Sequence, residues 1–307
     1  MNSYYDAVIL GGGPAGYTAA LYCARAGLSA LVLEQLSPGG QMATTERIDN
    51  YPGFEDGVDG FELAEKMQRG AEKFGAESEF ATVTAVHLTE EPKRIETTSG
   101  PVTAGAVILA TGAGPRPLGL PEEDKFRGRG VSYCAACDGM FYRGKSVAVV
   151  GGGNTAAGEA LTLSRLCSHV YLIHRRDTLR ADKSSVAPLL AADNVEIIYN
   201  AVPTAIEGET EVTGLAVRDQ ATAEVRILPV SGVFAAIGRV PDTALFSGQT
   251  ALDEAGYIIA GEDTKTSVPG VFAAGDVRTK PLRQVVTACA DGAVAAHAAA
   301  EYLSSLN

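Results

Sequence analysis

The chain opens with the pattern of a strand, a turn, a helix and a second strand. Residues 6–10 form an apolar run that predicts a strand, and the glycine-rich residues 11–16 follow it. An alanine-rich stretch to about Ala26 then predicts a helix. Residues 28–33 predict another strand, which ends at Glu34. The first 34 residues therefore predict a βαβ unit.

The same pattern returns in the middle of the chain. Residues 146–150 predict a strand, 151–156 a turn, 155–166 a helix and 170–173 a strand. From the first turn glycine to the residue after the second strand, both copies span 23 positions (34 − 11 and 174 − 151). We interpret this as an internal duplication of a nucleotide-binding unit.

The remaining pattern is less regular. Residues 37–53 are too irregular for a strand or a helix and predict a long loop, either a surface loop or a functional one. Helices are expected from about Gly60 to Phe74 and at the end of the chain to about Leu303, and the prolines from Pro115 to Pro121 indicate a crossing between domains. Short strands are expected at 107–112 and 232–238, and between 195 and 230.

The first turn has the residues of a dinucleotide site. Gly11, Gly13 and Gly16 form a GxGxxG motif between a strand and a helix, and an acid follows at Glu34. Such glycines let the backbone approach a pyrophosphate at the helix N-terminus, while the acid accepts hydrogen bonds from a ribose 2′-hydroxyl. The alternative is a plain βαβ turn without a ligand.

The second copy differs at the position that reads the ribose. His174, Arg175 and Arg176, with Arg180 close behind, replace the acid by a basic cluster. Guanidinium groups grip a 2′-phosphate that a carboxylate would repel. The second copy is therefore expected to prefer NADP over NAD, and the alternative is a solvated basic turn.

Two thiols precede the second turn. Cys134 and Cys137 form a CxxC pair that ends 14 residues before Gly151 (151 − 137), and Asp138 follows directly. Such a pair is a reversible disulfide or half of a metal site. Zinc would need two further ligands, but the other three cysteines stand alone and are expected to be small buried residues: Cys23, Cys167 and Cys289.

Composition limits the classes of partner. The 307 residues suffice for two domains, and a net charge of −12 argues against nucleic acid. There is no run of 18 apolar residues, so no membrane span is expected, and residues 1–6 lack the pattern of a signal peptide. Five cysteines, an odd and low count, fit a reducing compartment, so we expect a cytoplasmic protein.

The last module carries a further acid. Asp276 follows an apolar strand beside Gly275, where a carboxylate is able to bond the hydroxyls of a ribityl chain. From spacing alone, a helix cap is the alternative for this residue.

Together these motifs resemble the low-molecular-weight NADPH-dependent thioredoxin reductases along almost the whole chain. The order of the motifs, with CxxC just before the second nucleotide turn, carries the resemblance. The matching segments are 11–16, 39–41, 50–53, 134–139, 151–153, 174–180, 275–276 and 283–284.

The resemblance implies an α/β fold with two Rossmann-like, three-layer nucleotide-binding domains in a homodimer. A discontinuous FAD domain is expected at 1–113 with 240–307, and an inserted NADPH domain carrying CxxC at 114–239. The residues implied for FAD are Gly11, Gly13, Pro14, Ala15, Gly16, Glu34, Gln35, Gly40, Gln41, Asn50, Gly112, Gly275, Asp276, Arg283 and Gln284. Those implied for NADPH are Gly153, Asn154, Thr155, His174, Arg175, Arg176 and Arg180.

The implied reaction passes electrons from NADPH through FAD and the Cys134/Cys137 dithiol to the disulfide of thioredoxin or a thioredoxin-like protein. Asp138 matches the family's acid catalyst, and an exposed turn aspartate is the alternative. The family often has two aromatics where this chain has Met140 and Phe141, which leaves the partner less defined. The second turn has Asn154 and Thr155 where an acid and a serine are common, which should matter little for phosphate contact.

The resemblance also implies a moving part, because the dithiol and the nicotinamide share a domain while both must reach the flavin. Rotation of the NADPH domain is therefore expected. Two rival enzymes, a flavin-dependent disulfide oxidase and a ferredoxin-dependent thioredoxin reductase, would have little use for the arginine cluster. A non-catalytic nucleotide-binding redox sensor is a third alternative.

Overall fold

The computed structural model describes residues 4–45 and 47–306, without the side chain of Thr44. The chain forms two compact units, one made of Met1–Gly114 with Val240–Asn307 and the other of Pro115–Arg239. Residues 1–3, the start of the segment that lacks a signal-peptide pattern, lie outside the described residues.

The elements alternate between strands and helices in both units. The helices are α1 (Pro14–Arg25), α2 (Gly60–Glu72), α3 (Glu123–Phe126), α4 (Ala135–Asp138), α5 (Asn154–Ser164), α6 (Lys183–Leu190) and α7 (Val285–Ser305). The strands are β1 (Tyr4–Leu10), β2 (Ala30–Glu34), β3 (Glu77–Phe80), β4 (Val83–His87), β5 (Lys93–Thr97), β6 (Gly100–Leu109), β7 (Ala113–Pro115), β8 (Val131–Ser132), β9 (Ser146–Val150), β10 (His169–Ile173), β11 (Val195–Ile198), β12 (Ala201–Gly208), β13 (Val212–Asp219), β14 (Val225–Leu228), β15 (Gly232–Ala235), β16 (Arg239–Pro241) and β17 (Val271–Ala273).

The first unit is built on a seven-stranded sheet. Its order is β3-β2-β1-β6-β5-β4, with β17 also paired to β6. The pairs among β3, β2, β1, β6 and β17 are parallel, whereas β4 and β5 add antiparallel pairs. One face is covered by α1 and α7, whose alanines allow close packing, and the other face buries a second apolar cluster. The carboxyl ends of β1 and β6 thus lie side by side.

The second unit has three layers. A five-stranded parallel sheet, β11-β10-β9-β15-β8, lies between the helices on one face and the antiparallel sheet β12-β13-β14 on the other. Its first strand, helix and second strand correspond to those of the opening segment. The predicted duplication is therefore present in the fold.

Residues 37–53, which the sequence predicts to be a loop without a helix, contain one short helix. Gly40–Thr44 form a short 3-10 helix, entered through Gly39 at φ 103°. A second 3-10 helix, Gly275–Val277, follows β17. Within the described residues, no helix is long and apolar enough to cross a membrane.

Candidate functional site

The first glycine turn is sterically closed on one side and open on the other. A Cβ on Gly11, which has φ 105°, would lie 2.5 Å from the Ala110 carbonyl oxygen, and one on Gly16 would lie 1.9 Å from the Gly11 oxygen. A Cβ on Gly13 would meet no atom within 4 Å. Gly13 is the N-cap of α1 and offers no side-chain cap, and Pro14 is the first residue of the helix. The first-turn N–H groups therefore remain available to an anion such as a pyrophosphate.

The second turn repeats this construction with an offset of 140 residues (151 − 11). Gly11 N–H bonds the Leu33 carbonyl at 2.9 Å, and Gly151 N–H bonds the Ile173 carbonyl at 3.0 Å. A Cβ on Gly151 would again lie too close to a carbonyl oxygen, that of Ala236, at 2.4 Å. Gly153 begins α5 without a side-chain cap and has open space where a Cβ would be. Both turns are thus shaped for a phosphate group.

Glu34 lies directly over the first turn. Its Oε2 accepts a hydrogen bond from Gly12 N at 2.7 Å, and its Oε1 accepts one from Gln35 N at 2.7 Å. These two bonds fix the carboxylate at the end of β2, where a ribose is read in a dinucleotide fold. Gln35 itself is exposed, so its backbone serves to position Glu34.

Distant parts of the first unit converge near this edge. Asn50 Nδ2 donates to Gln284 Oε1 at 2.9 Å across 234 positions of sequence, and Gln41 Nε2 donates to the Ala113 carbonyl. Gln284 also caps α7 through a capping box with Thr287. These hydrogen bonds therefore join the 37–53 segment to residue 113 and to residue 284. Gly112, at φ 77°, turns the chain next to Ala113.

The turn at Gly275 is anchored by a buried ion cluster. Asp291 Oδ2 accepts hydrogen bonds from Gly275 N at 2.9 Å, Arg278 Nε at 2.9 Å and Lys280 Nζ at 2.7 Å. Burial would raise the pKa of Asp291, but hydrogen bonds from Arg278 and Lys280 outweigh it and lower that pKa. Asp276 is the second residue of its 3-10 helix, whose N-cap is Ala274, and Gln284 is the N-cap of α7. Arg283 stacks on Tyr257, with its guanidinium carbon 4.2 Å from the ring centroid.

The basic loop of the second unit is exposed and tied to its glycine turn. Arg175, Arg176 and Arg180 are all exposed, and no carboxylate of the described chain pairs with them. Arg180 N donates to the Gly152 carbonyl at 2.7 Å. These charges therefore stand beside the turn and are available to a phosphate.

Two other predicted residues of this loop have structural contacts. His174 is buried, and a Cβ on Gly152 would lie 2.1 Å from its Nδ1. Burial, together with the nearby arginines, lowers the pKa of His174 and keeps it neutral near pH 7. Asn154 exchanges two hydrogen bonds of 2.8 Å with Asp182. Their side chains thus shape the loop, and the N–H of Thr155 belongs to the uncapped first turn of α5.

Cys134 and Cys137 form a disulfide with their Cα atoms 5.3 Å apart. The pair lies on the short helix α4, for which Cys134 is the N-cap. Asp138 Oδ2 accepts a hydrogen bond from Ser132 Oγ at 2.6 Å. The arrangement places a carboxyl group next to a reducible bond, which is what proton-coupled thiol exchange requires.

A residue that the sequence analysis missed lies under this helix. Glu159, on α5, has its Oε2 buried without a hydrogen-bond partner among the described residues. Burial raises the pKa of Glu159 to about 7, although the Ala135 amide and Arg239 oppose the shift. Glu159 is the single acid of α5, which was the available signal, whereas Asp291 is one of two acids in α7.

The remaining cysteines differ from one another. Burial raises the pKa of Cys23 to about 12 and that of Cys167 to about 11, as expected of small buried residues. Cys289 is only half-buried, and its Sγ lies 3.8 Å from the Tyr51 hydroxyl, so the expectation of burial is wrong there. Across residues 4–45 and 47–306, no three His, Cys, Asp or Glu side chains converge as metal ligands do.

An apolar surface follows the disulfide. Met140 and Phe141 are each 49% exposed, whereas Tyr142 packs edge-on against Phe234 with ring centroids 5.2 Å apart. A cavity of about 490 Å³ lies beside them and is lined by Phe141, Tyr142, Arg129 and Glu211, among others. The two exposed residues after Gly139 are thus one methionine and one phenylalanine, at the positions where the family often has two aromatics.

Comparison with known proteins agrees with this geometry. Residues 5–292 match the family model described as pyridine nucleotide-disulphide oxidoreductase. A thioredoxin reductase of Treponema pallidum (strain Nichols) is 46% identical over 306 residues, covering 100% of this chain and 99% of the relative. A bifunctional thioredoxin reductase/thioredoxin of Mycobacterium leprae (strain TN) is 45% identical over 305 residues, covering 99% of this chain and 67% of the relative.

Solved structures give the same result. The thioredoxin reductase of Streptococcus pyogenes MGAS5005 superposes with a TM-score of 0.89 at 42% identity, covering 99% of this chain and 100% of the other. The predicted α/β fold class and the resemblance to thioredoxin reductases are thereby confirmed. The protein belongs to the pyridine nucleotide-disulphide oxidoreductase family.

Proposed function

We propose that the protein is an NADPH-dependent thioredoxin-disulfide reductase. Electrons pass from NADPH through FAD and the Cys134/Cys137 dithiol to the disulfide of thioredoxin or a thioredoxin-like protein. The observation that carries the proposal is the disulfide itself, which lies in the same unit as a glycine turn flanked by exposed arginines. FAD and NADPH are the cofactors of this family.

The first unit is proposed to hold FAD. The uncapped first turn of α1 supplies N–H donors for a pyrophosphate, and Glu34 accepts from a ribose. Asp276 and Gln284, with Asn50 on the opposite segment, offer polar groups for the rest of the molecule. The donor set therefore fits a dinucleotide with a long polar linker. Residues 1–113 with 240–307 are proposed as this domain.

The second unit, residues 114–239, is proposed to hold NADPH. Gly153 and Thr155 supply the turn, and Arg175, Arg176 and Arg180 hold the 2′-phosphate. The arginine cluster argues against a ferredoxin-dependent reductase or a disulfide oxidase, because neither enzyme needs to bind a 2′-phosphate in this domain. Hydride transfer and delivery of an electron pair to the disulfide are the chemistry that the two cofactors supply when bound.

The dithiol performs the exchange. One reduced cysteine attacks a sulfur of the partner's disulfide, forms a mixed disulfide and releases one partner thiolate. The second cysteine then attacks the enzyme sulfur of that mixed disulfide, which restores Cys134–Cys137 and releases the other partner thiolate. Two electrons and two protons move from the enzyme dithiol to the partner, and Asp138 is proposed to carry a proton to the departing sulfur.

Thioredoxin is the proposed partner. Met140 and Phe141 form an exposed apolar surface three and four residues after Cys137, suited to a small protein that presents its own disulfide, and a cavity with polar and apolar lining adjoins Phe141. The Mycobacterium leprae relative carries both names in one chain, which supports this choice. Five cysteines with one redox pair support a cytoplasmic location.

A homodimer is proposed as the working assembly. Apolar side chains on the first unit support it, because Tyr22 on α1 is 51% exposed and Val286 and Val294 on α7 are 44% and 39% exposed. Light scattering coupled to gel filtration should give about twice the monomer mass of 31.8 kDa. A monomer at all concentrations would contradict the proposal.

The activity is tested by the choice of electron donor. The purified protein should be yellow, lose its flavin absorbance with NADPH under anaerobic conditions, and then reduce oxidised thioredoxin. NADH should bleach it poorly, and reduced ferredoxin should not replace NADPH. Efficient bleaching by NADH would contradict the role of the arginines, and bleaching without thioredoxin reduction would contradict the proposed partner.

A further inference from the structure

Ser132 lies at the centre of the hydrogen bonds around the disulfide. Its Oγ donates to Asp138 Oδ2 at 2.6 Å and accepts from Cys134 N at 3.1 Å. A hydroxyl has one proton to donate, so the bond to the carboxylate uses it and leaves the lone pairs for the Cys134 amide. One side chain therefore links the carboxyl group to the backbone of the first redox cysteine.

The position of Ser132 is fixed independently of this contact. Ser132 belongs to β8 and pairs with Phe234 of β15, and its side chain is only 4% exposed. The backbone that carries the hydroxyl is thus part of the parallel sheet. By contrast, Asp138 is the last residue of the four-residue helix α4, which depends on its neighbours for its orientation.

We infer that Ser132 is a positioning residue for proton transfer, because its hydroxyl bonds the carboxyl group of Asp138, the residue directly after Cys137, and also accepts a hydrogen bond from the backbone N–H of Cys134. The inference rests on the proposed role of Asp138 as the proton carrier. The hydroxyl fixes one oxygen of the carboxyl group, and so fixes the direction from which a proton reaches a departing sulfur. A donated hydrogen bond also favours the ionised carboxylate.

The test is a single-turnover measurement on the reduced holoenzyme. Protein carrying its dithiol is mixed anaerobically with a tryptophan-containing thioredoxin in its disulfide form, over a range of pH. Because this chain contains no tryptophan, a change in tryptophan fluorescence reports on thioredoxin alone. Reduction of the bound flavin by NADPH, followed at its own absorbance, serves as the control half-reaction.

Ser132→Ala should slow thioredoxin reduction by about tenfold, the effect of losing one hydrogen bond to a charged group. It should also shift the descending limb of the pH–rate profile to higher pH, because the lost hydrogen bond no longer favours the ionised form of the Asp138 carboxyl group. NADPH should reduce the flavin at the wild-type rate. A slower rate with an unchanged pH profile would indicate a structural role only and would overturn the inference.

The pair Ser132→Thr and Ser132→Val provides a matched control if the alanine variant folds poorly. The two side chains have nearly the same shape, but only threonine keeps the hydroxyl. Threonine should retain the wild-type pH profile, and valine should show the shift. Identical profiles in this pair would overturn the inference.

Asp138→Asn separates the inference from the proposal on which it rests. A wild-type rate in Asp138→Asn would remove Asp138 as the proton carrier and the inference with it. A slow Asp138→Asn beside a wild-type profile in Ser132→Ala and Ser132→Val would leave the role of Asp138 intact and overturn only the role of Ser132.

Discussion

The ion cluster beneath the Gly275 turn provides the most direct test of how the first unit holds its cofactor. Asp291 receives hydrogen bonds from Arg278 and Lys280, and the side chains of these two cations are 2% and 3% exposed. Asp291→Asn keeps the size of the side chain and one acceptor oxygen, but it removes the charge. Lys280 then loses its counter-charge, and Arg278 keeps only the exposed Glu262, whose Oε1 lies 3.5 Å from Arg278 Nη2.

The expected loss of stability follows from this burial. Removing one partner of a buried ion pair costs about 3–5 kcal/mol, and asparagine retains part of the hydrogen bonding, so we expect about 3 kcal/mol in the free energy of unfolding. Gly275 N–H also loses its carboxylate acceptor. Since the Gly275–Asp276 turn is proposed to contact FAD, the dissociation constant of FAD should rise by roughly tenfold or more.

The assays are urea unfolding and titration of apo-protein with FAD, whose fluorescence reports binding. Glu301→Gln is the matched control, because Glu301 is an exposed acid on the same helix paired with His297, and its loss should cost less than about 1 kcal/mol. The folded-state pKa of Asp291 is lowered, so its stabilisation is present above 3.8 and is lost as the pH falls below it. The gap between wild type and Asp291→Asn should therefore close at low pH. Equal stability and equal FAD affinity at pH 7 would refute the reasoning.

Three further predictions concern the second unit. Burial raises the pKa of Glu159 from 4.5 to about 7, so wild type is stabilised below pH 4.5 and loses this stability as the pH rises to 7. The free energy of unfolding of Glu159→Gln, measured in urea, should therefore rise relative to wild type by up to about 3 kcal/mol between pH 5 and pH 8. Parallel pH dependences of the two proteins would contradict this. Replacing Arg175 and Arg176 by alanine should raise the KM for NADPH roughly 100-fold and leave that for NADH unchanged, whereas an equal rise for both would contradict a phosphate grip. Phe141→Ala should raise the KM for thioredoxin by about tenfold without affecting NADPH-driven ferricyanide reduction, and an equal loss with ferricyanide would contradict a docking role.

Strands and helices were predictable from the sequence because the residue spacing that specifies them lies within short segments of the chain. The strand at 146–150 has the predicted bounds, and the helices from Pro14 and from Asn154 follow glycines whose spacing is a property of the turn. The glycines themselves were identifiable from their spacing, and the structure adds why glycine is needed there, because a close approach to Ala110 or Ala236 leaves no room for a Cβ. The polar pattern of the Gly40–Thr44 segment gave no such signal for a 3-10 helix.

The supporting residues were missed because their contacts depend on the fold. Asp291 lies 16 positions from Gly275, and Glu159 lies 24 positions from Ala135 (159 − 135), so neither contact leaves a periodic trace. Ser132 is only six positions from Asp138, but the turn of α4 and the pairing of β8 decide whether the two meet. The sequence therefore indicated the groups proposed to do the chemistry, and the structure showed which residues contact them.

The central claim is that electrons leave the protein through the Cys134–Cys137 pair. The most direct measurement is NADPH-driven reduction of oxidised thioredoxin by wild type, Cys134→Ser and Cys137→Ser, with flavin bleaching by NADPH recorded in each. Both variants should bleach with NADPH as wild type does and should fail to reduce thioredoxin. Thioredoxin reduction at the wild-type rate in either variant would contradict the claim.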